Sequence, residues 1–223
     1  MQNTANLADD LLASANASSV HTQPTRLLTE LFENVDREAS LCVLNIGPAK
    51  PETVAFFGEY RCKLHITDLN QELPLPGAAD ANSEAQEAAN LLSSLSAALA
   101  LPEGVRFDIV FFWEVLNFLS TDTISALAQI LRPHLHAGSW GHCLAVRGAQ
   151  SPPPTEYCAL ADEGNLRIYP RRIFPPDFQP HSQSVLISRL EHFELVRTVL
   201  MRDQRLELLL KVSDSLTGAT QHS

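Results

Sequence analysis

The sequence predicts an open α/β sheet, mostly parallel and closed by an antiparallel hairpin, on three observations. Strand-like and helix-like stretches alternate from about residue 25 to about residue 150, the pattern that builds a parallel sheet with helices on both faces. The run "FDIVFFW" is apolar almost without interruption, as a strand buried on both faces must be. Near the end, "FELVRTVLMRDQRLELLLKVS" holds two strand-like runs about the polar turn "RDQ", which reads as an antiparallel pair.

The elements follow in chain order. Residues 1–24 are rich in Ala, Asn, Ser and Thr and read as a loose arm, with Leu7, Leu11 and Leu12 spaced for a short amphipathic docking turn. "TRLLTELFENVDREA" places Leu27, Leu28, Leu31 and Phe32 at helical spacing. "LCVLNI" is a short strand ending at Gly47, and "PETVAFFGEY" a helix. Pro51 is tolerated in that helix's first turn, and Glu52 suits its positive end. In "RCKLHITDL", Cys62, Leu64 and Ile66 alternate with Lys63, His65 and Thr67, a second strand. "SEAQEAANLLSSLSAALA" is helical, with Leu91, Leu92, Leu95 and Leu99 on one side. After "FDIVFFW" comes the helix "DTISALAQILRPHL", ended near Pro133, and then the strand "GSWGHCLAVRG". "SPPPTEY" and "PRRIFPPDFQP" break regular structure. The chain therefore divides into the arm, an α/β domain over 25–213 carrying a proline-rich insert at 151–182, and a flexible tail at 214–223.

Composition narrows the function classes. At 223 residues and 45% apolar, with a mean hydropathy of −0.04, the chain can bury one substantial core. Sixteen basic against 26 acidic side chains give a net charge of −10, which argues against a broad nucleic-acid footprint. Cys42, Cys62, Cys143 and Cys158 form no CxxC pair and no metal-ligand spacing; the first three sit among strand-like apolar residues and read as buried thiols in a reducing cytoplasm. No apolar run approaches the ~20 residues of a membrane span, and the N-terminus lacks the basic region of a secretion signal. His134, His136 and His142 sit at spacings of two and six with no acidic partner, so no metal site is expected. Arg167, Arg171 and Arg172, with Tyr169 among them, form one basic-aromatic spot, suited either to an anionic group or to an ordinary solvated loop.

In such a sheet a ligand lies outside the carboxyl ends of the strands, near the point where strand order reverses. The first strand's end, Asn45 to Ala49, and the second's, Asp68, should be neighbours. Gly47 would let a ligand approach the backbone and Asp68 would bond a ribose; equally, Gly47 permits a turn and Asp68 ends a strand. Trp113 is either a pocket wall or core, and Glu114 either a base or a helix start.

The ordered motifs "VLNIGPA", "HITDL", "FDIVFFWEVLNFL" and "LAQILRPHLHAGSWGHCLAV", with the closing "FELVRTVLM…RLELLLKV", resemble class I S-adenosylmethionine-dependent methyltransferases over roughly residues 26–212. The resemblance implies a Rossmann-like fold with a mostly parallel sheet, seven-stranded or reduced from seven, and a C-terminal antiparallel hairpin. It also implies S-adenosylmethionine as cofactor, held at Asn45, Gly47, Pro48, Ala49, Asp68, Trp113 and Glu114. Departures accompany it. Asn45 stands where the family has an acid, and the glycine turn is reduced to Gly47 with Ala49 and Pro51 beyond it. No third strand is evident before "FDIVFFW". Two functions follow: a divergent methyltransferase acting on a small molecule or protein, or a non-catalytic methyltransferase-like scaffold or regulator. The second would hold a protein partner through the N-terminal arm or the proline-rich insert.

Overall fold

A computed structural model of the chain describes residues 19–73, 83–148, 150–172, 175 and 177–213. Its elements are β1 (His21–Pro24), α1 (Leu27–Glu33), β2 (Leu41–Ile46), α2 (Pro51–Gly58), β3 (Cys62–Thr67), α3 (Glu84–Leu99), β4 (Ile109–Trp113), α4 (Thr121–Leu131), β5 (Trp140–Ala145), β6 (Glu156–Asp162), β7 (Asn165–Pro170), α5 (Gln183–Arg189), β8 (Phe193–Leu200) and β9 (Leu206–Val212). Leu7, Leu11, Leu12 and the 214–223 tail lie outside the described residues.

The main sheet has six strands in the order β3-β2-β4-β5-β9-β8. β3, β2, β4 and β5 run parallel, while β9 and β8 form the closing antiparallel pair. The strand order reverses between β2 and β4, as in a Rossmann-like class I methyltransferase fold. Among the described residues nothing pairs outside β3, which a 3-10 turn, Leu69–Gln71, follows, and these residues supply six strands of the seven-stranded plan. No helix among the described residues is long and apolar enough to cross a membrane.

Alternation along β4 sets the layers. Val110 and Phe112 face a core shared with Leu95, Leu99, Ile124, Leu127 and Leu186 of α3, α4 and α5. Ile109 and Phe111 face the other way, toward Leu27, Leu28, Phe56 and Phe57 of α1 and α2. The helices start where local chemistry stops the strands. The hydroxyls of Ser83, Ser120 and Ser182 each accept a backbone N–H of the following turn, and Pro51 opens α2.

The insert differs from the sequence expectation. Rather than remaining irregular, residues 156–170 form the hairpin β6–β7, and β1 adds antiparallel to β7. His21–Pro24 is thus a strand and not part of a loose arm. So short and polar a segment carries no local strand signal; pairing with β7 specifies it. This second, three-stranded sheet hydrogen-bonds to no strand of the main sheet and is held by side chains. Cys158, Leu160, Leu166 and Ile168 are at most 2% exposed; the three aliphatic ones each contribute about 1.5–3 kcal/mol by burial. Thr53 of α2 bonds both the carbonyl and the N–H of Leu160.

Buried charges add to this. Arg171, just beyond β7, pairs with Glu114 at 2.5 Å, their side chains 5% and 3% exposed. Arg205 lies on the Cys158 sulfur and pairs with Asp203. His142 meets Glu207 at 3.0 Å, and the Thr25 hydroxyl donates to the same carboxylate. At the exposed rim Arg37 pairs with Glu163. Removing one partner of a buried pair strands the other charge, whereas a solvated pair contributes little. Arg171→Met should therefore lower unfolding free energy by about 3–5 kcal/mol. Arg37→Met should lower it by no more than about 1 kcal/mol. Urea unfolding of both variants checks the contrast.

Candidate ligand crevice

Ile46 pairs with Thr67 at the carboxyl ends of β2 and β3, so Gly47 and Asp68 leave the sheet side by side. Sequence reasoning expected this adjacency. What it missed is the occupant of the adjoining space. β4 is irregular between Phe111 and Trp113, and Trp113 has φ +47°. That left-handed backbone costs about 1–3 kcal/mol for a bulky side chain, and it turns the indole onto the β2 end. Burying an aromatic of this size, here 3% exposed, contributes roughly 4–6 kcal/mol. Burial outweighs the strain.

The indole is fixed on every side. Its Nε1 donates to Asn45 Oδ1 at 2.7 Å, and Asn45 Nδ2 donates to the Gly47 carbonyl at 3.0 Å. Phe111 stacks on it with centroids 5.1 Å apart and planes 14° from parallel, and His142 meets it edge-on at 5.7 Å. A Cβ placed on Gly47 would stand 2.9 Å from Trp113 Cδ1. Gly47 is therefore required by close approach, and the approaching group is the chain's own tryptophan.

Glu114 follows, 2% exposed, at the head of the 3-10 turn Val115–Phe118. Burial holds its carboxyl above the ordinary range, although Arg171 and Arg205 pull the other way. Asn117 donates to the carbonyls of Glu114 and Leu144 and accepts from the Val146 N–H. It ties the β4 and β5 ends together and faces no open space.

The second sheet covers what remains of this face. Lys50, in the turn after Gly47, lies over the rings of Tyr157 and Tyr169 at 4.9 and 4.7 Å. Those rings stack on each other at 5.3 Å. The Tyr169 hydroxyl donates to Glu52 at 2.6 Å, which lowers the Glu52 pKa. Burial first, then this bond, pushes the Tyr169 pKa up to about 12. Arg171 also lies 5.0 Å over the Phe118 ring. Pro48 is half-buried and Ala49 exposed at the outer rim of the turn.

Two of the expected residues keep free capacity, Asp68 and Glu114, whose second carboxylate oxygen is also buried without a partner among the described residues. Asp68 Oδ2 accepts from Gln71 at 2.6 Å, while Oδ1 is sealed from solvent and has no partner among the described residues. Asn45, Gly47 and Trp113 come together as one packed unit, Glu114 joins the Arg171 pair, and Asp68 stands at the β3 end. His134, His136 and His142 go to three separate partners, the Val105 carbonyl, Asp108 and Glu207. Arg167, Arg171 and Arg172 also diverge, toward Thr22 and Glu52, toward Glu114, and into solvent. The contributions of Tyr157 and Arg171 were missed although a signal existed. In "YCALADEGNLRI", Cys158, Leu160, Leu166 and Ile168 alternate about an Asp-Glu-Gly-Asn turn, the mark of a hairpin.

No protein-family model matches the sequence, and no curated protein does. Among solved structures the chain is similar to the 1,6-didemethyltoxoflavin-N1-methyltransferase of Burkholderia thailandensis, bound to 1,6-didemethyltoxoflavin and S-adenosylhomocysteine. There the identity is 15% and the TM-score 0.48, over 85% of this chain and 78% of that one. It is also similar to the N-methyltransferase NodS of Bradyrhizobium japonicum WM9, at 16% identity and a TM-score of 0.46, over 84% and 94% of the two chains. The pyocyanin biosynthetic protein PhzM matches at 15% identity and a TM-score of 0.44 over 83% of this chain, which spans 54% of that protein's length. The fold itself is identified by the strand order described above.

Gly47→Ala should destabilise the domain by about 1–3 kcal/mol, because the Trp113 ring it meets is pinned and cannot give way. Thermal unfolding measures this, with Gly58→Ala, a site where a Cβ meets nothing within 4 Å, as the control expected to be neutral or better.

Proposed function

We propose that this chain is a methyltransferase-like domain that holds a partner, as a scaffold or regulator, and does not transfer a methyl group. The observation that carries the reading is the Trp113 indole, which lies against Gly47 and occupies the Asn45 carboxamide. Those are the groups that would have to be free for S-adenosylmethionine in a crevice of this kind, so the residues do not fit that cofactor. Methyl transfer depends chiefly on aligning a nucleophile with the methyl group in a space closed to water. Here that space is filled by Trp113 and bordered by the buried Glu114–Arg171 pair.

Energetics support a lasting closure. Lifting the second sheet would expose Leu160, Leu166 and Ile168 and part the Glu114–Arg171 pair. The cost, several kcal/mol per the burial figures above, approaches the roughly 5–15 kcal/mol that stabilises a whole domain. The partner surface we assign to the borders of the insert, where Pro152 and Pro153 are exposed and prolines lose little entropy on binding, and to the N-terminal arm.

One observation favours the alternative, a divergent S-adenosylmethionine-dependent methyltransferase. Asp68 Oδ1 lacks a partner at the strand end where that family's ribose-binding acid stands. Titration calorimetry of the purified chain with S-adenosylmethionine separates the two. No saturable heat is expected up to about 1 mM, the edge of specific binding at roughly 4 kcal/mol. A submicromolar Kd, lost in Asp68→Ala, would overturn the scaffold reading.

A further inference from the structure

We infer that the slot holding the Trp113 side chain is a binding site for a planar bicyclic N–H heteroaromatic ring, which the chain fills with its own indole. The inference rests on the reading above, that Trp113 closes the crevice, and names the chemistry the crevice selects.

Each wall supplies one element of recognition. Phe111 offers a flat face, with ring planes 14° apart, and His142 an edge at 72°; both are geometries that aromatic rings prefer. Gly47 supplies a floor that only the absence of a Cβ leaves low enough, since one built there would come within 2.9 Å of the ring. Asn45 supplies the polar anchor: Oδ1 accepts the ring N–H at 2.7 Å. The amide's other end is committed to the Gly47 carbonyl, so the acceptor is turned toward the ring. A buried acceptor of this kind rejects a ring lacking the donor, because the loss leaves it unpaired.

The walls are also held independently of their occupant. His142 is fixed by Glu207, Asn45 by Gly47, and Phe111 packs on Phe57 with centroids 6.0 Å apart. The slot therefore keeps its shape when the indole is removed. Removal is favoured at one point: the backbone at φ +47° suits glycine and strains tryptophan. Trp113→Gly thus relieves backbone strain while leaving a sealed, mostly apolar cavity, the kind that takes up aromatic ligands.

The test is thermal unfolding of full-length Trp113→Gly with added indole, and with benzofuran, which has nearly the same shape but an oxygen in place of the N–H. Indole at about tenfold its Kd should raise the midpoint by about 3–6 °C. Benzofuran should bind at least about tenfold more weakly, and the wild-type chain should not respond. Adding Asn45→Ala to the variant should remove the preference for indole. No saturable shift, equal shifts from the two rings, or an equal shift in the wild-type chain would overturn the inference. If the variant is recovered unfolded, refolding with and without indole replaces the melt: recovery of native structure with indole alone supports the site, and no recovery in either overturns it. S-adenosylmethionine binding to the wild-type chain would defeat the scaffold reading and leave the indole result standing, so the two failures are distinct.

Discussion

The hydrogen bond from the Trp113 indole to the Asn45 carboxamide joins the ends of β2 and β4 at the point where the sheet reverses its order. Several features depend on it. The indole can reach Asn45 only if the β4 backbone takes a left-handed turn, and the ring can lie flat only if residue 47 has no side chain. Asn45 can serve both partners because an amide has a donor end and an acceptor end; a carboxylate there would offer the Gly47 carbonyl nothing to accept. The asparagine at this position, where the resembled family has an acid, is thus the residue that the packed arrangement requires.

Around that contact the second sheet forms a cover secured by chemistry of two kinds. Its inner apolar side chains give the bulk of the attachment, and the buried Glu114–Arg171 pair, with the Arg205 guanidinium donating to the Cys158 sulfur, fixes its orientation. Ion pairs of this sort add less to net stability than apolar groups of the same volume would, yet each is costly to break from one side. Such pairs tolerate one docking geometry and penalise the rest. Lys50, lying over the stacked Tyr157 and Tyr169 rings, adds a cation–π contact between the turn after β2 and the second sheet.

Much of the main sheet was legible in the sequence because its signals are local. "FDIVFFW" reads as a doubly buried strand, Ser83 heads the run read as α3, and the adjacency of Gly47 and Asp68 follows from the strand–helix–strand spacing, whereas the short helix α5 was not anticipated. The crevice was legible as a place and not as a state. That Trp113 points into it depends on one backbone angle, and no residue pattern announces a tryptophan at positive φ. The pairing of Glu114 with Arg171 joins positions 57 apart, and neither residue type predicts burial. The hairpin β6–β7 was hidden differently: its alternation was present, but the flanking proline clusters drew the whole region into an irregular reading. β1 had no local signal at all, since its strand character comes from β7.

The second sheet joins distant parts of the polypeptide, and this bears on how the molecule is made. His21 pairs with Ile168, and Thr25 bonds Glu207, 182 positions further on. At about 5–20 residues per second, synthesis leaves the early segment waiting on the order of ten to forty seconds for that partner. Over that interval α1 has the aromatic side chains of α2 to pack on but lacks β9, its other support. The packing around α1 is therefore completed only once β9 has been made, so the two sheets close on each other late however early the first strands emerge.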